Sequence, residues 1–236
     1  MSGRRLVAVL GYHKVGPPSN GGWETWYYVP EATFRSQLEH LERNGWEVVE
    51  LARFLDGLAD PAALPERAAL LTFDDGYRSF CSGALDILRE RGHPSVLFVP
   101  TGFVGARNAW DSAEPEEPIC RWEDLCELEL AGVSVQSHGV THRAFSELDP
   151  RGLDEELALS KAALEDRLGK RIDAFAFPYG DEGSEPKSTE DALRRTGYRA
   201  AFLYRGGTLE LPVASPLLLE RIPIGADTDL AAELAA

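Results

Sequence analysis

The chain has 236 residues, of which 44% are hydrophobic and 27% are charged, which is ordinary for one globular domain with a sizeable core. Its net charge of −15 argues against a nucleic-acid partner or an anionic membrane surface, because both attract basic proteins. No apolar run approaches the roughly 20 residues of a membrane span. The N-terminal apolar run is too short for a secretory signal, which predicts a cytoplasmic protein, or an extracellular one if the sequence is truncated.

Short apolar runs alternate with amphipathic segments along the chain. In chain order the sequence predicts a strand at 5–13, a helix at 32–45, a strand at 68–73, a helix at 83–92, a strand at 94–100, a helix at 121–132, a strand at 133–137, a helix at 152–169, a strand at 173–177, a helix near 190–197, and strands at 198–203 and 217–224. The helical segments show apolar residues at helical spacing, or end at a glycine that stops a helix.

This alternation of strands and helices predicts an α/β fold with a parallel sheet covered by helices, in a single domain over residues 1–236. About seven strands in a domain of this length favour a (β/α) barrel, and a doubly wound sheet is the alternative. Segments 16–28 and 107–118 are rich in proline, glycine and acidic residues. We predict that they are loops beside the site, with tryptophans placed to contact a ligand.

Polar residues follow four of the predicted strands. They are the "YH" at 12–13, the "DDG" at 74–76, the "SHGVTH" at 137–142 and the "PYG" at 178–180. Because ligands bind at the carboxyl ends of parallel strands in both candidate architectures, these groups are expected at one face of the domain.

His138 and His142 are four positions apart, a spacing that places two imidazoles on the same side of a helical turn and suits one metal ion. The alternative is a pair of loop histidines that only form hydrogen bonds. An aspartate from another strand end would complete a His₂Asp set with an open position for water.

Asp74 and Asp75 are adjacent, and like charges in contact cost free energy. In one interpretation, one carboxylate binds the cation and the other accepts a proton from water. Their environments can differ, because adjacent side chains of an extended strand point to opposite faces. The alternative is a solvated Asx turn at "DDG", which does not account for the histidine pair.

"TFDDG", "SHGVTH" and "FAFPYG", in this order, resemble the polysaccharide deacetylase family, the NodB homology domain of carbohydrate esterase family 4. The resemblance extends from "LGYHKV" to "LERIPI", and three ordered motifs make it specific. It implies a distorted (β/α) barrel and metal-dependent removal of acetyl groups from N-acetylated, or sometimes O-acetylated, sugars.

The resemblance also implies roles for residues of this chain. Asp74 is the expected general base, and the backbone N–H of Tyr179 is expected to stabilise the oxyanion. The expected ligands of a divalent metal, most commonly zinc, with cobalt, nickel or manganese as alternatives, are Asp75, His138 and His142. Pro178 of the "PYG" loop and Trp110 are candidates for substrate binding.

Two positions depart from the common family pattern. No histidine follows His142, whereas most members take their general acid from a late histidine. The "GYHKV" segment resembles the branch that includes poly-N-acetylglucosamine deacetylases, which makes His13 the candidate acid, with a purely structural histidine as the alternative. Ala176 stands where many members have an arginine beside the base. Arg221, near the last predicted strand, is a candidate to supply that charge or to bind substrate.

The expected function is therefore hydrolysis of acetyl groups from an N-acetylhexosamine-containing glycan or glycoconjugate, by attack of a metal-activated water. One alternative is hydrolysis of another amide or ester, such as a cyclic imide or an O-acetyl sugar. The other is a catalytically silent carbohydrate-binding domain, which is disfavoured because the base and all three ligand positions are filled. The expected partner is a carbohydrate, without nucleic acid and without a membrane span.

Overall fold

A computed structural model of the protein describes residues 4–235. Its strands are β1 (Arg5–Tyr12), β2 (Lys14–Val15), β3 (Tyr28–Val29), β4 (Glu47–Val48), β5 (Arg67–Phe73), β6 (Ser95–Val99), β7 (Val133–Ser137), β8 (Ala174–Ala176), β9 (Ala200–Phe202), β10 (Leu209–Leu211) and β11 (Ile222–Pro223). Its α-helices are α1 (Glu31–Arg43), α2 (Leu51–Ala59), α3 (Ala84–Arg91), α4 (Trp122–Leu130), α5 (Pro150–Leu168), α6 (Pro186–Thr196) and α7 (Leu230–Glu233).

Nine of the strands described within residues 4–235 form one curled sheet. Its main path runs β10-β1-β5-β6-β7-β8-β9, with β11 beside β1 and β4 beside β5. The pairs from β1 through β9 along this path are parallel, and β10 is antiparallel to β1. This topology confirms the predicted distorted barrel.

The segment 216–224 connects the two ends of the parallel array. The N–H of Leu203, just after β9, donates to the carbonyl of Leu219 at 2.8 Å, and the N–H of Ile224 donates to the carbonyl of Gly11 in β1 at 2.9 Å. Of the strand predicted at 217–224, only Ile222–Pro223 pair regularly, as β11. The segment nevertheless brings β1 and β9 into one ring.

Alternate residues of each strand enter two different apolar cores, as the period of two requires. In β1, Ala8 and Leu10 pack in the core beneath the helices. Val7 and Val9 pack in a second core with residues such as Phe98 and with α2. The strands are apolar throughout because both faces of the sheet are covered.

The ends of the main helices follow local chemistry. Helix α5 begins where the Asp149 side chain accepts a hydrogen bond from the N–H of Gly152 at 2.7 Å, and it ends at Gly169, whose φ is +65°. Helix α3 ends in the same way at Gly92, with a φ of +66°. No helix within residues 4–235 is both long enough and apolar enough to cross a membrane.

Candidate metal and catalytic site

The predicted polar groups meet at one end of the barrel. His13 follows β1, Asp74 and Asp75 follow β5, and His138 follows β7. All four line one cleft. They meet because the carboxyl ends of parallel strands lie at one edge, so each strand delivers the residues that follow it to the same place.

Asp75, His138 and His142 form a compact group. The Oδ1 atom of Asp75 lies 2.9 Å from Nε2 of His142 and 3.3 Å from Nε2 of His138. One potential ligand atom from each residue lies within 4.8 Å of the others, and all three residues are buried.

The hydrogen bonds of this group favour a bound cation. The Nδ1–H of His138 donates to the carbonyl of Ala176 at 2.7 Å, which leaves a lone pair on Nε2 directed at the Asp75 carboxylate. Two lone pairs facing each other repel unless a proton or a metal ion lies between them. One carboxylate and two imidazoles, one of them oriented by a backbone carbonyl, are a set that suits zinc or a related divalent ion.

The charge on Asp75 is strongly stabilised. Burial by itself raises the pKa of this carboxyl, but when protons rather than a metal ion lie between Asp75 and the two Nε2 atoms, the attraction of His142 and the hydrogen bonds from both histidines outweigh burial and hold the pKa well below its usual range. The carboxylate is therefore ionised and available as a ligand across the physiological pH range.

Backbone strain is concentrated at this site. Three non-glycine residues within 4–235 have positive φ: Asp75 at +71°, His142 at +54° and Tyr179 at +58°. Such conformations cost on the order of 1–3 kcal/mol each and persist where the surrounding structure enforces them. All three lie in the cleft. The strain supports a functional role for these turns, and sequence gives no direct signal of it.

Asp74 forms a two-pronged ion pair with Arg221. Nη1 and Nη2 of Arg221 each lie 2.7 Å from one oxygen of Asp74. Nε donates to the carbonyl of Leu203 at 2.6 Å, and Nη1 also donates to the Thr72 hydroxyl at 3.0 Å. Burial raises the pKa of Asp74, but the Arg221 guanidinium outweighs it, so the pKa of Asp74 lies below its ordinary value.

The structure corrects one prediction for Arg221. Its side chain is 0% exposed and does not line the cleft, so it cannot contact a substrate there. It lies beside Asp74, as the hypothesis of a replacement for the missing family arginine predicts. Pro178 is also buried and absent from the cleft lining, so the prediction that it binds substrate is not supported by its position.

His13 lies near Oδ2 of Asp75, whereas His138 and His142 lie near Oδ1. Its Nε2 is 4.0 Å from Oδ2 of Asp75, and its ring packs against Tyr27 and Tyr204. Burial lowers the pKa of His13, although the carboxylates of Asp75 and Asp74 oppose this effect. Its Nδ1 is buried and has no hydrogen-bond partner among the described residues. The free His13 side chain is thus mostly neutral at neutral pH.

Aromatic rings form much of the cleft wall. Trp110 stacks on the His142 ring with 4.4 Å between centroids and 24° between planes. Tyr179 meets the same ring edge-on at 4.8 Å, and 56% of the Tyr179 residue surface is exposed. The structure therefore places Trp110 in the cleft wall, where it can contact a ligand as predicted.

An ion pair that sequence reasoning missed anchors the loop that carries Trp110. Nζ of Lys14, which is 1% exposed, lies 2.5 Å from Oε2 of Glu114. The same Nζ lies 4.4 Å from the ring centroid of Tyr28 and 4.6 Å from that of Tyr77. The signal available in the sequence was Lys14 itself, a lysine directly after His13 in an otherwise apolar segment.

Comparison with known proteins identifies the chain's relatives. The family model described as "Polysaccharide deacetylase" matches residues 62–201. The putative polysaccharide deacetylase YxkH of Bacillus subtilis is 23% identical over 193 residues, which cover 82% of this chain and 62% of that protein. The poly-beta-1,6-N-acetyl-D-glucosamine N-deacetylase of Escherichia coli K12 is 28% identical over 228 residues, which cover 83% of this chain and 33% of that protein. The chain thus spans less than two thirds of either relative.

Solved structures with the same fold cover nearly the whole chain. The Streptococcus pyogenes deacetylase PplD, solved in complex with acetate, superposes with a TM-score of 0.82 at 22% identity, over 98% of both chains. IcaB from Ammonifex degensii superposes with a TM-score of 0.78 at 29% identity, over 92% of this chain and 91% of that one. With its family model matched over more than half of its length and its fold shared across the barrel, the chain belongs to the polysaccharide deacetylase family.

Proposed function

We propose that this protein removes acetyl groups from N-acetylated sugars by hydrolysis and that a divalent metal ion held by Asp75, His138 and His142 is required. The observation that carries the proposal is the arrangement of the two adjacent aspartates. Asp75 faces two imidazoles, whereas Asp74 is paired with Arg221 in the same cleft. This difference supports one carboxylate as a cation ligand and the other as a proton acceptor.

A divalent cation at this site would polarise the acetyl carbonyl and lower the pKa of the attacking water. Asp74 accepts the proton of that water. Its pairing with Arg221 keeps it ionised and fixes the orientation of both of its oxygens. Each oxygen retains a lone pair beyond the one engaged by Arg221, so the carboxylate can still receive a proton.

The leaving amine must be protonated, because an amine anion is a very poor leaving group. His13 is the proposed donor, since it lines the cleft and its Nε2 lies 4.0 Å from Oδ2 of Asp75. Negative charge that develops on the substrate near this imidazole favours its protonated form. The backbone N–H of Tyr179 is the proposed donor to the oxyanion.

The proposed substrate is a glycan or glycoconjugate that contains N-acetylhexosamine. One relative is named as acting on poly-beta-1,6-N-acetyl-D-glucosamine, and the aromatic cleft wall of Tyr27, Trp110 and Tyr179 suits the apolar face of a sugar ring. Hydrolysis of an O-acetyl sugar is the second candidate, because the same proton transfers serve an ester.

The test is release of acetate from a panel of N-acetylated and O-acetylated sugars and oligomers, with metal analysis of the purified protein. We expect acetate from N-acetylhexosamine oligomers, loss of that activity after chelation, and its return with added Zn²⁺ or Co²⁺. Absence of acetate from every member of the panel, with any of these metals present, would refute the proposed function.

A further inference from the structure

The loop between the two histidine ligands, residues 139–141, is held by hydrogen bonds to two other elements. Its carbonyl groups accept from the turn after β6. The N–H of Thr101 donates to the carbonyl of Gly139, and the N–H of Gly102 donates to the carbonyl of Val140, both at 2.9 Å. The N–H groups of Val140 and Thr141 are directed to a different partner.

That partner is Glu156 of α5, a carboxylate with only 6% of its residue surface exposed. It accepts hydrogen bonds from the N–H of Val140 at 2.6 Å and from the N–H of Thr141 at 3.0 Å. It also accepts from the Thr141 hydroxyl. Within residues 4–235 the hydrogen-bond donors to this carboxylate all belong to the loop. Burying a charge is costly unless such donors compensate it, so carboxylate and loop stabilise one another.

The loop packs closely against both Glu156 and the turn after β6. A Cβ atom at Gly139, whose φ is +80°, would lie 2.7 Å from Oε2 of Glu156. A Cβ atom at Gly102 would lie 2.6 Å from the carbonyl oxygen of Val140. The loop is thus fixed between α5 and the turn after β6, immediately before the strained residue His142.

We propose that Glu156 is a positioning residue for the metal centre. By engaging every donor of residues 140 and 141, it sets the path of the chain between His138 and His142 and supports the positive φ of His142. The imidazole of His142 is then presented to Asp75 without further rearrangement. The inference rests on the proposed function in one respect, namely that Asp75, His138 and His142 bind a metal ion.

The first test is the affinity for Zn²⁺ or Co²⁺ of the Glu156→Gln variant. The substitution preserves the size of the side chain. The amide nitrogen of glutamine is a donor, however, so it cannot accept the hydrogen bond from the N–H or O–H group that it faces. We expect the Kd to rise about 10–100-fold, the usual effect of removing a group that orients a metal ligand. Competition with a chromophoric chelator measures this, and the absorption spectrum of bound Co²⁺ reports the coordination geometry.

The matched control is Glu155→Gln on the same helix. The Glu155 side chain is 52% exposed and pairs with Arg151 one turn away, so this variant should retain the wild-type Kd and Co²⁺ spectrum. Thr141→Val serves as a second probe, because it removes only the hydroxyl donor. It should raise the Kd by less than Glu156→Gln does.

The outcomes separate the two proposals. Wild-type affinity and an unchanged Co²⁺ spectrum in folded Glu156→Gln would overturn the positioning role, whether or not acetate is released from any sugar. If Glu156→Gln does not fold, Thr141→Val is the deciding variant. A wild-type Kd and an unchanged Co²⁺ spectrum in Thr141→Val would overturn the positioning role, and a raised Kd would support it. A metal affinity that falls in Glu156→Gln and stays constant in Glu155→Gln would support it, even if the substrate panel gave no acetate.

Discussion

Asp74 and Asp75 are adjacent in sequence but interact with different kinds of partner. Asp74 is paired with the permanent cation Arg221, and Asp75 faces two imidazoles that can share a metal ion. The positive φ of Asp75 turns the chain between them. The repulsion between adjacent carboxylates is therefore offset by two separate counter-charges, and each residue is free to serve a different step.

Asp74→Asn removes the proposed base and preserves the shape of the side chain. We expect kcat to fall by at least about 100-fold, the lower range for loss of a general base, while the protein still binds one metal ion. Acetate release and metal content of the same preparation check this. Activity close to wild type would show that another group is the base.

His138→Ala is the complementary change. It removes a proposed metal ligand and also leaves the carbonyl of Ala176 without its donor. We expect loss of both bound metal and acetate release. A variant that kept a full equivalent of metal would show that His138 is not a ligand.

Arg221→Met tests the control of the Asp74 pKa. With the guanidinium present, the pKa of Asp74 lies below its ordinary value of 3.8, although burial acts to raise it. Without the guanidinium, burial is opposed only by the weaker attraction of His138 and His13, so the pKa rises and the acidic limb of the kcat/KM profile should move to higher pH. The profile is measured with saturating metal, and coincident acidic limbs would rule out this role.

The same change should lower stability. Removal of one partner from a buried ion pair typically costs about 3–5 kcal/mol. Because a carboxyl with a lowered pKa stabilises the folded state only when ionised, the wild-type contribution is present above the ordinary pKa of 3.8 and is lost as the pH falls through the lower native value. Denaturant unfolding at pH 7 and at acidic pH should therefore show a difference between wild type and Arg221→Met that shrinks in acid.

At the scale of elements, the loops above the barrel are held by buried polar contacts. Lys14 directly follows His13 and reaches Glu114 in the loop that carries Trp110. The adjacent Glu117, which is 1% exposed, accepts hydrogen bonds from the Tyr28 hydroxyl at 2.9 Å and from the N–H of Ser19 at 2.8 Å. These contacts tie segments 16–28 and 107–118 to each other and to the barrel.

Lys14→Met should lower the stability of the folded protein. It leaves Glu114 buried without its cation, which typically costs about 3–5 kcal/mol. The double variant Lys14→Met/Glu114→Gln should recover part of that loss, because no unpaired charge remains. Denaturant unfolding of both variants measures the difference, and equal stabilities would show that the ion pair is not coupled in this way.

The strands and helices around the barrel could be predicted because their apolar residues repeat with clear periods and glycines mark several ends. Helix α2 was missed, since Gly57 interrupts it and no capping side chain marks its start. The short strands β2, β3, β4 and β10 contain only two or three residues each, too few to show a period. They form because a neighbouring chain segment offers hydrogen bonds.

The candidate site was predictable to the extent that its residues directly follow strands. His13, Asp74, Asp75, His138 and His142 all belong to short motifs at strand ends. The Lys14–Glu114 pair joins residues 100 positions apart, and the Glu156 contacts depend on how α5 lies over a loop. Such pairings are set by the three-dimensional arrangement, so a single sequence cannot reveal them.

At the scale of the whole molecule, the net charge of −15 bears on the choice of substrate. Asp111 adds an acidic group to the cleft lining, where Glu114 is already paired with Lys14, so a sugar chain that carries free, protonated amines should be attracted. The predicted cytoplasmic location stays a prediction.

Salt should therefore act differently on two kinds of oligomer. Raising the ionic strength screens attraction between charges, so the KM of a partly deacetylated oligomer should rise, by about fivefold for a loss of about 1 kcal/mol. The KM of the fully acetylated oligomer of equal length should hardly change. Equal salt dependence of the two would show that the acidic surface does not contribute to binding.

The position of Arg221 links closure of the barrel to the charge environment of Asp74. The guanidinium that keeps Asp74 ionised lies 147 positions later in the chain, within the segment that joins β9 to β1. During synthesis the proposed metal ligands and the proposed base emerge long before this arginine does. An unfinished or unclosed chain therefore holds Asp74 without its counter-charge, so we expect the proposed activity to arise only when the ring is complete. Activity in this protein would then report the completion of its own folding.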